Sequence, residues 1–243
     1  MDRLTRHELK SDQLVEKVGQ IVDTVEEHRS QVIRYGVIAV AALVLMGGGY
    51  WYRQRQMESR EAGLTKVLRT WTAPVGGAPG DYSFASPESR NQALVQAVAQ
   101  LTSKHGGSNE AGAANYVLGV QAADAGKEDE AIRYFKQAVA DGGREYGALG
   151  KLALADLYAA QGNPGAEKLY KELIEKPTPL IAWIEGPVTL VSRDTATIGL
   201  ARFYLSKGRI AEARTLLDPY KGQTNSAARQ AITVLAESYS AGK

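Results

Sequence analysis

The stretch YGVIAVAALVLMGGGYWY, from Tyr35 to Tyr52, constrains this chain more than any other, because its 18 residues carry no charge and lie between Arg34 and Arg53. As an α-helix it covers about 27 Å, near the roughly 30 Å of a bilayer's hydrocarbon core, and Val32 and Ile33 can extend it. Tyr35 at one end and Tyr50, Trp51 and Tyr52 at the other suit the headgroup level, where aromatic rings are favoured. A buried helix of a soluble domain is the competing reading, but Gly47, Gly48 and Gly49 followed by three bulky aromatics make a poor soluble core. A cleaved signal peptide fits badly, because 34 mostly polar residues precede the apolar run where a signal has a short basic leader. The stretch predicts one retained membrane span at 35–52. Charge does not orient it: six Lys/Arg precede the span and five follow within the first 17 residues.

The span leaves about 190 residues on its C-terminal side, enough for one domain with a sizeable core or a short repeat array. With a net charge of only +2 and 23% charged residues, no surface built for nucleic acid is expected. The absence of cysteine excludes disulfides, thiolate catalysis and zinc-thiolate sites. His7, His28 and His105 lie in separate segments, none with a second histidine or a carboxylate at ligand spacing, so neither a metal site nor histidine catalysis is expected. Gly47 to Gly49 lack the strand, lysine and hydroxyl of a phosphate loop. Asp124, Glu128, Asp129 and Glu130 read as a solvated turn and an acidic helix start, not as a calcium site. No cofactor and no enzymatic activity are expected.

Ahead of the span, the arm 1–34 opens with a capping box, Thr5-Arg6-His7-Glu8, flanked by the hydrophobic staple pair Leu4 and Leu9. Val18, Ile21, Val25, His28, Val32 and Tyr35 then follow heptad spacing over about two and a half heptads. That pattern predicts an amphipathic helix resting near the headgroups or on a membrane partner, or a homo-oligomer formed through this helix. Past the span, 53–109 reads as stem and pre-repeat helices. Leu64, Val67, Leu68 and Trp71 have helical spacing, Ala73 to Ala85 is a Gly/Pro-rich loop, and a helix begins at Ser86-Pro87-Glu88 with Leu94, Val98 and Leu101 as its core stripe.

From about residue 110 to 243 the sequence resembles itself. Leu118-Gly119, Ala122, Gly126, Ala131 and Phe135 recur as Leu154-Ala155, Tyr158, Gly162, Ala166 and Tyr170. They recur again as Leu200-Ala201, Tyr204, Gly208, Ala213 and Leu217, and Leu235-Ala236 with Tyr239 begins a fourth copy. A small residue in each helix lets the pair cross closely, a large one fills the gap beside it, and the glycine stops the first helix. The segment 176–194 is an insertion that stretches the glycine-to-glycine period from 36 to 46 residues. Pro177, Pro179 and Pro187 forbid a long helix there, while Trp183 and its apolar neighbours make it too apolar for a solvated loop. It therefore either folds back on the repeats or docks a partner through Trp183.

This pattern of small and aromatic positions resembles the tetratricopeptide repeat, which implies a helical repeat solenoid; with the arm and the span, the expected fold is all-α, an N-terminal helix continuing into one transmembrane helix and then the solenoid. In that register the concave face carries Tyr116, Val120, Leu149, Leu152, Asp156, Ile198 and Arg202, a mixture suited to a peptide strand or a partner helix. Some tetratricopeptide domains grip a C-terminal carboxylate with lysine and asparagine. Tyr116 and Val120 stand at those positions, so that mode is not expected.

The layout of arm, span and trailing repeats also resembles the single-pass ancillary subunits of the bacterial SecYEG translocon. That resemblance implies a single-pass inner-membrane protein with its N-terminus cytoplasmic and its C-terminal domain periplasmic. It further implies a non-enzymatic scaffold for protein partners: the translocon, periplasmic chaperones or client chains in secretion and envelope-protein folding. An adaptor of another envelope complex, or a transmembrane sensor or accessory subunit signalling through the arm, are the rival readings.

Overall fold

The computed structural model describes residues 29–76, 82–143, 145–175, 190–223 and 226–240. The capping box, the staple and most of the heptad seam of the arm lie outside the described residues. Helix α1 (Arg29–Trp71) runs unbroken through the apolar stretch. Ile38, Val40, Leu43, Val44 and Leu45 are all exposed, and a Cβ added at Gly36, Gly47, Gly48 or Gly49 would meet nothing within 4 Å. Apolar side chains exposed along the helix suit lipid rather than water. Among the described residues, one helix is thus long and apolar enough to cross a membrane.

The chain divides into compact units at Met57 and Glu58, so the last turns of α1 belong to the C-terminal unit. There Val67 packs with Leu94, Ala97, Val98 and Leu101 of α2 (Pro87–His105), and with Ala114, Val117 and Leu118 of the next helix. What reads in sequence as a polar-faced stem is therefore half core. Helix α2 starts as expected: Ser86 Oγ accepts from the Ser89 N–H and Ser89 Oγ from the Ser86 N–H, both at 3.2 Å, a reciprocal cap. Leu94, Val98 and Leu101 are buried.

The repeating region forms α3 (Asn109–Asp124), α4 (Glu128–Asp141), α5 (Glu145–Ala160), α6 (Gly165–Ile174), α7 (Arg193–Ser206), α8 (Ile210–Leu217) and α9 (Ser226–Ser240). A 3-10 turn, Asp218–Tyr220, follows α8. Each helix from α2 onward packs on the next. In addition α3 touches α5, α5 touches α7 and α7 touches α9, while α4, α6 and α8 do not touch one another. The odd-numbered helices from α3 to α9 thus form a continuous row.

The sequence repeat accounts for this arrangement. Gly126, Gly162 and Gly208 take left-handed φ values of 70, 67 and 71°, which cost a glycine nothing because it has no Cβ. Each turns the chain the same way: the N–H groups of Lys127, Asn163 and Arg209 donate to the carbonyls of Ala122, Tyr158 and Tyr204, all at 2.8 Å. Ala131, Ala155, Ala166, Ala201 and Ala213 are all fully buried, and Phe135, Tyr170 and Leu217 fill the space beside them. A Cβ at Gly119 would lie 2.5 Å from the Phe135 ring. In the fourth copy Ala236 is exposed, because no helix follows α9 to cover it among the described residues.

Of the insertion only 190–194 is described, so Trp183 and residues 176–189 lie outside the described part. Val191 is buried with Ala148, Leu173 and Ala196, and Ser192 caps α7 by accepting from the Thr195 N–H at 3.0 Å. The returning end is therefore pinned to the neighbouring helices. A polar cluster joins α6 to the α7–α8 pair across this long connection. Glu167 accepts from Arg209 Nη1 at 2.6 Å, pairs with Lys171 at 2.8 Å, and accepts from the Tyr204 hydroxyl at 2.9 Å. The Arg209 guanidinium stacks over the Tyr204 ring at 4.0 Å, and Lys207 Nζ donates to the Gly162 carbonyl at 2.7 Å.

Two outcomes follow from this packing. Ala131→Leu or Ala213→Leu forces methylenes between touching helices and is expected to cost roughly 1–3 kcal/mol, whereas Ala140→Leu, at an exposed site, should leave the melting temperature unchanged. Equal melting of the three variants would show that the small positions do not set the helix contacts. The second outcome concerns Glu167, whose carboxyl Arg209 first, then Lys171 and Tyr204, hold at about 2. A lowered carboxyl contributes stability above its ordinary value of about 4.5 and loses it as pH falls toward 2. Glu167→Gln should therefore cost roughly 1 kcal/mol near neutral pH, and the gap to the natural chain should close between about pH 4.5 and 2 in denaturant titrations.

Candidate protein-binding face

Tyr116 and Val120 project from α3, Leu149, Leu152 and Asp156 from α5, and Ile198 and Arg202 from α7, three successive helices of the row that α9 completes. The structure brings three of them into one electrostatic group. The Arg202 charge acts on the Asp156 carboxyl and the Asp156 charge on the Tyr116 hydroxyl, so a hydroxyl, a carboxylate and a guanidinium on three successive helices feel one another's charge. Asp156 and Arg202 are exposed and Tyr116 is half-buried, its ring packed 5.8 Å from that of Phe135. Val120, Leu149 and Leu152 are half-buried beside the core and supply apolar surface between the polar groups.

Ile198 departs from the sequence expectation. It is only 3% exposed and belongs to the core formed by α5, α6, α7, α8 and α9, where neighbouring helices cover its side chain. It cannot present its side chain to a partner.

The residue that sequence reading assigned to packing alone is Tyr170. Its ring fills the core at 2% exposure while its hydroxyl donates to Asp156 Oδ1 at 2.5 Å. Burial and the neighbouring carboxylate push the Tyr170 hydroxyl well above its ordinary value, which keeps it protonated and donating. Asp156 keeps one edge in solvent, but the packed helices around its carboxyl push it above the ordinary range, against the Tyr170 hydrogen bond and the Arg202 charge. The signal was present in sequence: Phe135, Tyr170 and Leu217 share one repeat position, and only Tyr170 brings a hydroxyl that needs a partner when buried.

No group of three or more His, Cys, Asp or Glu side chains that could hold a metal occurs among the described residues. His105 Nε2 lies 3.0 Å from Ser59 Oγ, and His7 and His28 lie outside the described residues. Neither a protein family, a curated protein nor a solved structure matches the chain.

Asp156→Ala should leave the Tyr170 hydroxyl buried without an acceptor and destabilise the chain by about 1–3 kcal/mol. Adding Tyr170→Phe should recover most of that loss, since the pair is then removed together. Chemical denaturation of the two single variants and the double variant checks this; simple additivity would mean that the hydrogen bond contributes nothing.

Proposed function

We propose that the chain is a membrane-anchored scaffold whose C-terminal helix pairs form a tetratricopeptide-like solenoid and bind other proteins on the face built by α3, α5 and α7. The observation that carries this reading is the row of odd-numbered helices with Tyr116, Asp156 and Arg202 brought together across it. A face of alternating apolar and opposite-charge groups is suited to a peptide strand or an amphipathic helix. The recurring glycine turns and fully buried alanines support the solenoid assignment, since each recurs at the same place in successive helix pairs.

The apolar part of α1 is proposed as the anchor in a bacterial inner membrane, with 1–34 cytoplasmic and the C-terminal unit periplasmic. The partners proposed are the SecYEG translocon, periplasmic chaperones and emerging client chains, so that the protein assists secretion or envelope-protein folding. Support for these partners comes from the resemblance of the layout, and the face chemistry is compatible with it. The scaffold acts without catalysis: it holds partners near the membrane and raises their local concentration.

Topology and partner can be tested together. An alkaline phosphatase fused after Lys243 should be active and one fused after Arg34 inactive; the reverse result removes the proposed partners, which would lie across the membrane. Photocrosslinking from Tyr116, Leu152 and Arg202 in intact cells should then capture translocon subunits or periplasmic chaperones. Capture of outer-membrane-assembly or division proteins instead would assign the scaffold to another envelope complex.

A further inference from the structure

A second groove lies on the opposite side of α3. Around that helix Leu118, Gln121, Ala122 and Ala125 point about 170° away from Tyr116 and Val120, into a cavity of about 470 Å³ walled by α2 and α4. Its volume is that of a ligand pocket, and its largely apolar lining carries four carboxamides: Asn91, Gln92 and Gln96 from α2 and Gln121 from α3. The only charges are Lys127 and Glu130 at the rim, 3.7 Å apart and paired with each other. Exposed Val95 sits between the glutamines of α2, over a floor that includes buried Leu118 and Ala122.

Among the described residues, the carboxamides here have no hydrogen-bond partner. Elsewhere Gln56, Gln100, Gln137 and Gln161 each hydrogen-bond a side chain of the protein. In the groove Gln121 Oε1 is buried with no hydrogen-bond partner, while Gln92 and Gln96 are exposed and present their amides to solvent. A carboxamide both donates and accepts, which is the complement of a peptide group. Gln92 and Gln96, four residues apart, lie about 6 Å apart along α2, close to the roughly 6.8 Å between successive amides on one edge of an extended chain.

The geometry points to a binding site for an extended, uncharged polypeptide segment, held through its backbone by Gln92 and Gln96, with an apolar side chain resting on Val95 and Leu118. Recognition through the backbone reads conformation rather than sequence, so the groove takes any unfolded segment with an apolar residue in the right place. The paired rim leaves no free charge to draw an ionic or phosphorylated ligand. The site does not depend on the face formed by α3, α5 and α7.

The test uses the full chain in lipid nanodiscs and a short fluorescein-labelled peptide of Gly, Ser and Thr with a central Val-Leu pair, read by fluorescence anisotropy. Saturable binding is expected. Gln92→Met with Gln96→Met removes donors and acceptors at nearly constant volume on an exposed surface, and should weaken it by about ten-fold, whereas Gln137→Met should not change it. The same peptide N-methylated at alternate amides should also bind the natural chain about ten-fold more weakly, an arm that involves no variant of the protein. Absence of saturable binding, equal binding by a double variant that melts like the natural chain, or equal binding of the N-methylated peptide would each overturn the proposal.

Discussion

Contact between helix backbones at Ala131, Ala166 and Ala213 is the constraint on which the C-terminal unit depends. These side chains are fully buried, and each lies four residues before the large side chain, Phe135, Tyr170 or Leu217, that closes the remaining space. Because interiors are packed to crystal-like density, the separation of each helix pair is fixed by that methyl group. The helices can then meet edge to edge in sequence order, and the odd-numbered ones can stack into a row. A chain with longer residues at these positions would hold its helices too far apart for Tyr116, Asp156 and Arg202 to sense one another.

The pair α7–α8 poses a separate problem, since 18 residues (175–192) join it to α6 where three (142–144) join α4 to α5. Two kinds of contact close the gap. Val191 anchors the returning end in an apolar cluster, while Glu167, Arg209 and Tyr204 tie the two pairs together with charge-assisted hydrogen bonds and a stacked guanidinium. Arg209 is also the residue whose N–H closes the glycine turn after α7, so one position serves both the turn and the joint. The joint thereby holds α7 against α6, and with it the Arg202 end of the proposed binding face.

Much of this was legible in the residues. The uninterrupted apolar run, the cap at Ser86, the glycines that end helices and the alanines that let them cross are local or periodic signals, and each depends on chemistry that a short window of sequence contains. The polar contacts were not legible in the same way. Asp156 and Tyr170 lie on different helices of one pair, Glu167 and Arg209 on either side of the insertion, and Gln92 and Gln121 on helices separated by a turn. Spacing along the chain says which face of a helix a residue occupies, but not which side chain of another helix stops opposite it. Ile198 shows the same limit in the apolar direction: its register places it on the row of first helices, yet overlying helices enclose it.

The sequence by itself determined that the described chain is helical, that one helix is apolar enough to cross a membrane, and where the small residues fall in each helix pair. These are properties of periodicity, propensity and residue volume, which act within a few turns of chain. Only the tertiary structure decided that the end of the long helix is part of the core, that Tyr170 bonds Asp156, and that four carboxamides share one groove with no protein partner. Those outcomes depend on the distance and rotation between helices, and such quantities arise when close-packed surfaces interlock rather than from any segment alone.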